Sequence, residues 1–176
     1  MKTLIKNGLL IDSANQVQAY LNLILEDGKV VAVTEEEPEA DRVIDATGKV
    51  VAPGFIDIHM HEDPVKDGKI EFCIFDAMLR MGVTTAVGGN CGINVYDPVK
   101  YLDMVEKDGA PVNVMLFAGH QYFREAAGAL DKYAPVTKEQ QEHMKKGLEK
   151  ALEAGCVGIS YGLRYVPGTG RDEFLD

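Results

Sequence analysis

Residues 53–63 read PGFIDIHMHED, a short apolar run that ends in two histidines and two acids. Side chains two residues apart point to the same face of a strand, so Asp57, His59 and His61 are predicted to share one face. The side chains predicted to point the other way, toward covering helices, are those of Ile56, Ile58 and Met60. This segment therefore predicts a buried strand with polar chemistry at its carboxyl end.

Strands and helices alternate downstream of this segment. The predicted strands are 55–61, 84–87, 112–118 and 157–161, and the predicted helices are 70–80, 98–107 and one that begins at the Thr137/Gln140 capping box and ends before Gly155. Apolar strands in this alternation indicate an α/β fold with a parallel sheet covered by helices. An open sheet and a barrel both satisfy the pattern. Because a (β/α)₈ barrel needs about 250 residues, a barrel here is only its first half.

The first 52 residues have a different pattern, in which short predicted strands are separated by turns. Asp27-Gly28 between the apolar runs 20–25 and 29–34 predicts a β-hairpin with a type I′ turn. A second small hairpin is predicted from 43–45 and 49–52. The sequence thus predicts a β module over residues 1–52 and βα units over residues 53–176.

The composition narrows the function classes. The chain has 176 residues, 46% of them hydrophobic, and its 18 Lys and Arg against 28 Asp and Glu give a net charge of −10. Such a surface would be repelled by nucleic acid and by anionic membranes. We expect no membrane span and no signal peptide, because no long apolar run occurs and the first twelve residues are broken by polar ones. Three cysteines without a signal predict a reducing cytoplasm.

A metal site is the chemistry that the polar strand end favours. His59 and His61 on one face can hold one ion, and neutral imidazole is a good zinc ligand. Cys91, in the turn Gly88-Gly89-Asn90-Cys91-Gly92 after the next strand, can approach them because the carboxyl ends of parallel strands meet. The alternatives are hydrogen-bonded structural histidines and a small buried cysteine. The cost of burying uncompensated polar groups favours the metal.

Other polar residues at strand ends are candidates for binding a substrate. Asn90, Ser160 and His120 fall at such positions, and each is equally compatible with satisfying the backbone. The two further candidates, for pairing with a substrate carboxylate, are Arg124 and Arg164. The residues predicted to play no part in the site are Cys73 and Cys156, as core residues, and His143, as an exposed one.

With these residues in place, the chain resembles the amidohydrolase superfamily, and within it the N-acyl-D-amino-acid deacylase (D-aminoacylase) branch. The superfamily motif is the stretch 44–52, IDATGKVVA, running into PGFIDIHMH. The branch motifs are His61-Glu62-Asp63, GVTTAVGGNCGIN at 82–94, and AGCVGISYGL at 154–163 with Val166-Pro167-Gly168 after it. The stretch GHQYFR at 119–124 is similar to a further branch motif and departs from it at Gln121.

The resemblance implies a (β/α)₈ barrel, a small β-sandwich completed by both termini, and one or two zinc ions. It implies that a metal-activated water hydrolyses the amide of an N-acyl-D-amino acid. By this resemblance His59, His61 and Cys91 are metal ligands, while the general-base aspartate and the remaining histidine ligands are expected beyond Asp176. Other amidohydrolases use a carboxylated lysine on the fourth strand, and 156–163 contain no lysine.

The resemblance matches only the first part of such an enzyme. We therefore expect an N-terminal fragment that is inactive by itself and prone to self-association through uncovered sheet edges. Two alternatives stay open: a dihydroorotase- or hydantoinase-like cyclic amidohydrolase, and a non-catalytic protein of this fold that acts through assembly. The acyl group, the amino-acid side chain and the oligomeric state are not predictable from these residues.

Overall fold

The computed structural model describes residues 1–131 and 133–162. Its contacts divide the chain into two units, Met1–Pro53 and Gly54–Asp176. In the described part, no helix is both long enough and apolar enough to cross a bilayer.

The first unit consists of seven strands in two small sheets. They are β1 (Lys2–Lys6), β2 (Leu9–Asp12), β3 (Val17–Tyr20), β4 (Asn22–Glu26), β5 (Lys29–Thr34), β6 (Arg42–Asp45) and β7 (Val50–Val51). One sheet has the order β5-β4-β1-β6 and the other the order β3-β2-β7. The predicted hairpin is confirmed: β4 and β5 pair antiparallel, and Asp27 and Gly28 at their turn have φ values of 48° and 78°.

The second predicted hairpin is wrong. β6 pairs parallel with β1 in one sheet, and β7 pairs parallel with β2 in the other. The chain crosses between the sheets at Ala46–Lys49, beside the break between β1 and β2 at Asn7-Gly8, where the amide of Ala46 donates to the carbonyl of Lys6. The turn at Thr47-Gly48 is present, but the strands on either side of it, β6 and β7, pair with β1 and β2 and not with each other.

The second unit alternates strands and helices. Its elements are β8 (Phe55–Asp57), β9 (Val65–Lys66), β10 (Lys69–Ile70), α1 (Cys73–Arg80), β11 (Val83–Gly88), α2 (Pro98–Asp108), β12 (Asn113–Leu116), β13 (Ala118–Gly119), α3 (His120–Ala126), α4 (Lys138–Glu153) and β14 (Ile159–Ser160). β8, β11 and β12 pair parallel in chain order, and β13 pairs parallel with β14. This is the predicted mixed α/β arrangement, and no pairing among the described strands closes it into a barrel.

The helices begin where their caps predict, with two exceptions. Asp97 accepts from the amides of the first turn of α2, and Thr137 forms the predicted capping box of α4. α1 begins three residues later than predicted, because Ile70 belongs to β10. α3 is a helix that the sequence analysis missed; Gly119 precedes it and offers no side-chain cap.

The core of the second unit lies between the sheet and these helices. Its largest fully buried side chains include Tyr101, Phe75 and Leu116. Cys156 is buried, as predicted, and burial raises the pKa of its thiol to about 11. Cys73 is exposed, so its predicted core position is wrong: it is the first residue of α1 and lies at the helix surface.

The strand β8 departs from its prediction. It ends at Asp57, well before His61, because the carboxylate of Asp57 accepts from the amide of His59 and turns the chain. Ile56 and Ile58 are 64% and 71% exposed, so the prediction that they pack against covering helices is wrong for the described structure, whereas Met60 is buried as predicted.

Candidate metal centre

Three predicted ligands lie together beyond the carboxyl ends of β8 and β11. One ligand atom from each of His59, His61 and Cys91 lies within 4.8 Å of the others. The Nε2 atom of His59 is 3.3 Å from the Sγ atom of Cys91. Both histidines are exposed and Cys91 is half-buried, so the group opens to solvent on one side.

The side-chain amide of Asn90 helps to fix the backbone around the histidines. Asn90 donates through Nδ2 to the carbonyl of Val87 at 2.7 Å and to that of Met60 at 3.3 Å. Met60 lies between the two histidines, and its own amide donates to Val87. The segment that carries both imidazoles is thereby tied to the end of β11.

The turn that carries Cys91 is strained and closely packed. Cys91 has a φ of 61°, an uncommon value for a residue with a side chain and one that is concentrated at functional sites. Ser160 holds the turn from the end of β14: its hydroxyl donates to the carbonyl of Gly89 and accepts from the amide of Gly92. The strain is thus sustained by contacts from a neighbouring strand.

Two buried carboxylates follow the second histidine. Glu62 is 2% exposed and accepts from Nδ2 of Asn94 at 2.7 Å; burial raises the pKa of its carboxyl, against the effect of this hydrogen bond. Asp63 is completely buried and accepts from the amides of Ile74 and Phe75 at 2.7 and 2.9 Å. Asp63 therefore caps α1 from a distance and fixes that helix beside the ligand-bearing segment.

The donor set fits zinc. Imidazole nitrogen and thiolate sulfur are preferred zinc ligands, and atoms bound tetrahedrally at about 2.0–2.3 Å from the ion lie roughly 3.5 Å apart. The separation of His59 and Cys91 matches that value, and the group is compact enough for one ion. The open side of these three ligands leaves coordination positions free for further ligands, water or substrate.

The other predicted site residues have partners that bear on their roles. Asn90 and Ser160 bind backbone groups of the site, as described above, and their contact with a substrate stays a prediction. His120 is the first residue of α3, is buried, and packs its ring 5.1 Å from that of Tyr161. His143 is exposed on α4, as predicted.

Of the two arginines predicted to pair with a substrate carboxylate, the structure describes Arg124 and not Arg164. Arg124 is 2% exposed, and its guanidinium donates to the carbonyls of Asp131 and Ala134. These contacts give Arg124 a structural role after α3, and its pairing with a substrate carboxylate stays a prediction. Arg164 lies outside the described residues, as do Leu163 and the motif Val166-Pro167-Gly168.

The roles of Glu62, Asp63 and Asn94 were not predicted from the sequence. All three residues stand inside the motifs His61-Glu62-Asp63 and GVTTAVGGNCGIN. The signal in the sequence was an acidic pair directly after a predicted buried strand, a place where charged groups are costly unless hydrogen bonds compensate them.

Comparison with known proteins identifies the family of the chain. The model of the amidohydrolase family matches residues 42–164. The N-acyl-D-glutamate deacylase of Alcaligenes xylosoxydans xylosoxydans is 32% identical over 93% of this chain and 38% of its own length. A crystal structure of the N-acyl-D-glutamate deacylase of Bordetella bronchiseptica, complexed with zinc and a phosphonate inhibitor, aligns with a TM-score of 0.79 at 32% identity, over 94% of this chain and 39% of that one.

A solved structure of a D-aminoacylase with a binuclear metal centre aligns with a TM-score of 0.83 at 27% identity, over 97% of this chain and 41% of that one. The chain thus spans about two fifths of the length of these relatives. The family match covers well over half of the chain. The chain belongs to the amidohydrolase family.

Proposed function

We propose that this chain carries the first metal ligands of a zinc-dependent deacylase of N-acyl-D-amino acids. The observation that carries the proposal is the grouping of His59, His61 and Cys91 within 4.8 Å at the strand ends. The similarity to the N-acyl-D-glutamate deacylases supports the same substrate class. The reaction is hydrolysis of a linear amide, which releases a carboxylic acid and a D-amino acid.

The proposed architecture is the N-terminal part of a small β-sandwich over 1–52, followed by the first four βα units of a (β/α)₈ barrel over 53–176. Parallel strands that pair in chain order support it. So does the alignment with the D-aminoacylase structure.

The chain's own residues would hold and orient the reaction centre. As ligands of an ion, His59 and His61 would each supply an imidazole nitrogen and Cys91 a sulfur, and their open side leaves room for further ligands, a water molecule or the substrate. A bound zinc ion supplies a more acidic water and polarises the carbonyl. Asn90 and Ser160 hold the ligands in place by fixing the backbone on either side of Cys91.

We propose that turnover belongs to a longer parent protein, because the chain spans only 38% of the length of the related deacylase. The test is an assay of the protein from the complete reading frame, loaded with zinc, on N-acetyl-D-glutamate, its L-enantiomer, dihydroorotate and hydantoin. We expect hydrolysis of the D-enantiomer, a large loss in His59→Ala and Cys91→Ala, and no turnover by the 176-residue chain alone.

The remaining substrates separate the alternatives. Preferential turnover of dihydroorotate or hydantoin would place the parent among the cyclic amidohydrolases. An absence of hydrolysis by a zinc-loaded parent, with assembly intact, would favour the non-catalytic alternative. Robust deacylase activity of the 176-residue chain would contradict the expected dependence on the longer parent.

A further inference from the structure

A pair of buried polar side chains links the ends of two strands beside the candidate metal centre. Asn94, three residues after Cys91, donates through Nδ2 to Glu62 at 2.7 Å and to the carbonyl of Phe117 at 3.0 Å. Its Oδ1 atom accepts from the amide of Gly119 at 2.7 Å. The side-chain amide of Asn94 thus joins Glu62, the residue after His61, to Phe117 and Gly119, which lie where β12 ends and β13 begins.

The glycines of the Cys91 turn make room for this pair. A Cβ atom on Gly88 would lie 2.8 Å from Cγ of Glu62, which is closer than real Cβ atoms approach their neighbours. A Cβ atom on Gly89 would overlap the carbonyl of Phe117 and lie 2.8 Å from Nδ2 of Asn94. The Gly-Gly dipeptide, the carboxylate and the amide therefore form one closely packed arrangement.

The hydrogen bond between Glu62 and Asn94 is shielded from water. Glu62 is 2% exposed, and removing one partner of a buried hydrogen bond leaves the other unsatisfied, so each side chain of the pair depends on the other for its position. The pair also lies next to the ligands in the chain, because Glu62 directly follows His61 and Asn94 follows Cys91 by three residues.

We infer that Glu62 and Asn94 are positioning residues that hold His61 and Cys91 at the separation needed to bind one metal ion. The inference rests on the proposed function, because it takes these two side chains as ligands. Neither positioning residue belongs to the ligand group itself. Each acts by fixing the backbone next to a ligand, and both act through their shared hydrogen bond.

The test is titration of the full 176-residue chain with Co²⁺ alone, followed by the thiolate-to-cobalt absorption band and the visible bands. We expect Asn94→Ala and Glu62→Ala each to weaken Co²⁺ binding by about 10-fold or more, as is typical when a residue that supports metal ligands is lost. Glu62→Gln keeps an oxygen acceptor for Asn94 and should restore binding close to that of the parent. The double variant should lose about as much as either single variant, because both remove the same contact.

Asn113→Ala is the matched control. Asn113 also spans two strands, donating to the carbonyl of Thr84 at 2.9 Å, but it does so at the amino end of β12. We expect this variant to bind Co²⁺ as the parent does. If Asn94→Ala folds poorly, comparing Co²⁺ binding by Glu62→Ala with that by Glu62→Gln still tests whether the hydrogen bond to Asn94 is needed.

Two results would overturn the inference, and only the second would also overturn the proposed function. Parent-like affinity and spectra in Asn94→Ala and Glu62→Ala, with a thiolate band in the parent, would overturn the positioning role and leave the metal centre standing. A parent that binds Co²⁺ without a thiolate band would remove Cys91 from the ligand group and overturn the proposed function together with the inference.

Discussion

The two ends of the segment 55–63 reverse the usual relation between polarity and burial. At its start, Phe55 and Ile56 are 69% and 64% exposed, whereas at its end Glu62 and Asp63 are 2% and 0% exposed. The acids are compensated by hydrogen bonds from Asn94 and from the first turn of α1. The difference shows that, among the described residues, the packing of this segment is concentrated at its polar end.

The largest expected effect comes from adding a side chain at Gly89, where the backbone packs closely against Phe117 and Asn94. Gly89→Ala puts a Cβ atom into the carbonyl of Phe117, at a residue whose φ is 71°. We expect the free energy of unfolding to fall by about 3 kcal/mol or more, from overpacking and backbone strain together. Urea denaturation measures it.

Gly109→Ala is the control for that substitution. Gly109 has a φ of 77°, and no described atom lies within 4 Å of the place that a Cβ atom would take on this residue. It should lose only the backbone contribution, about 1 kcal/mol. Equal losses in the two variants would show that close packing around the Cys91 turn has no special cost.

The buried acid should matter more than the exposed aliphatic residues. Asp63→Ala leaves the amides of Ile74 and Phe75 without their acceptor, so we expect a loss of about 2–3 kcal/mol in the free energy of unfolding. Ile56→Thr keeps the β-branch at an exposed position and should change it by less than about 0.5 kcal/mol. The reverse order in urea denaturation would contradict the burial pattern.

The exposed start of the segment should govern association. Ile56 lies in β8, at the edge of the sheet formed by the described strands, and Ile58 follows that strand; both are exposed, and unpaired backbone groups at such an edge also invite pairing. We expect the double variant Ile56→Thr/Ile58→Thr to weaken self-association about tenfold or more, since burying one such side chain contributes about 1.5 kcal/mol. Sedimentation velocity over a concentration series tests this, and an unchanged profile would exclude the surface.

The sequence predicted best where a local rule decides the outcome. The turn at Asp27-Gly28 and the caps at Asp97 and Thr137 follow from the preferences of single residues, and all three are confirmed. The approach of Cys91 to the two histidines follows from the geometry of parallel strands, since their carboxyl ends meet.

The sequence failed where distant contacts decide. α3 has seven residues and no side-chain cap, so it depends on tertiary packing through Phe123 and on the contacts of Arg124. The strands at 42–45 and 50–51 pair with the start of the chain, which no local turn rule predicts. The burial of Asp63 depends likewise on a helix that begins ten residues later.

The smallest expected effect is a change in the reactivity of Cys73. This exposed thiol contacts the buried carboxylate of Asp63, so its reactivity depends on the charge of that carboxylate. The thiol of Cys73 donates to Oδ1 of Asp63 at 2.9 Å, and this hydrogen bond, together with the charge of the carboxylate, raises the pKa of the thiol. Only the thiolate reacts with alkylating reagents. Asp63→Asn removes the charge and weakens the hydrogen bond, so the pKa should fall and alkylation of Cys73 at pH 8 should become a few-fold faster.

Mass spectrometry of the labelled peptides distinguishes Cys73 from the other thiols. Cys156 is the internal control, because it is buried and its pKa of about 11 owes most to that burial; its rate should stay slow in both proteins. A rise at both cysteines would indicate loosening of the whole fold. An increase at Cys73 alone would show that the carboxylate acts on the helix surface, so that the polar end of the segment influences chemistry on the side of α1 as well as at the strand ends.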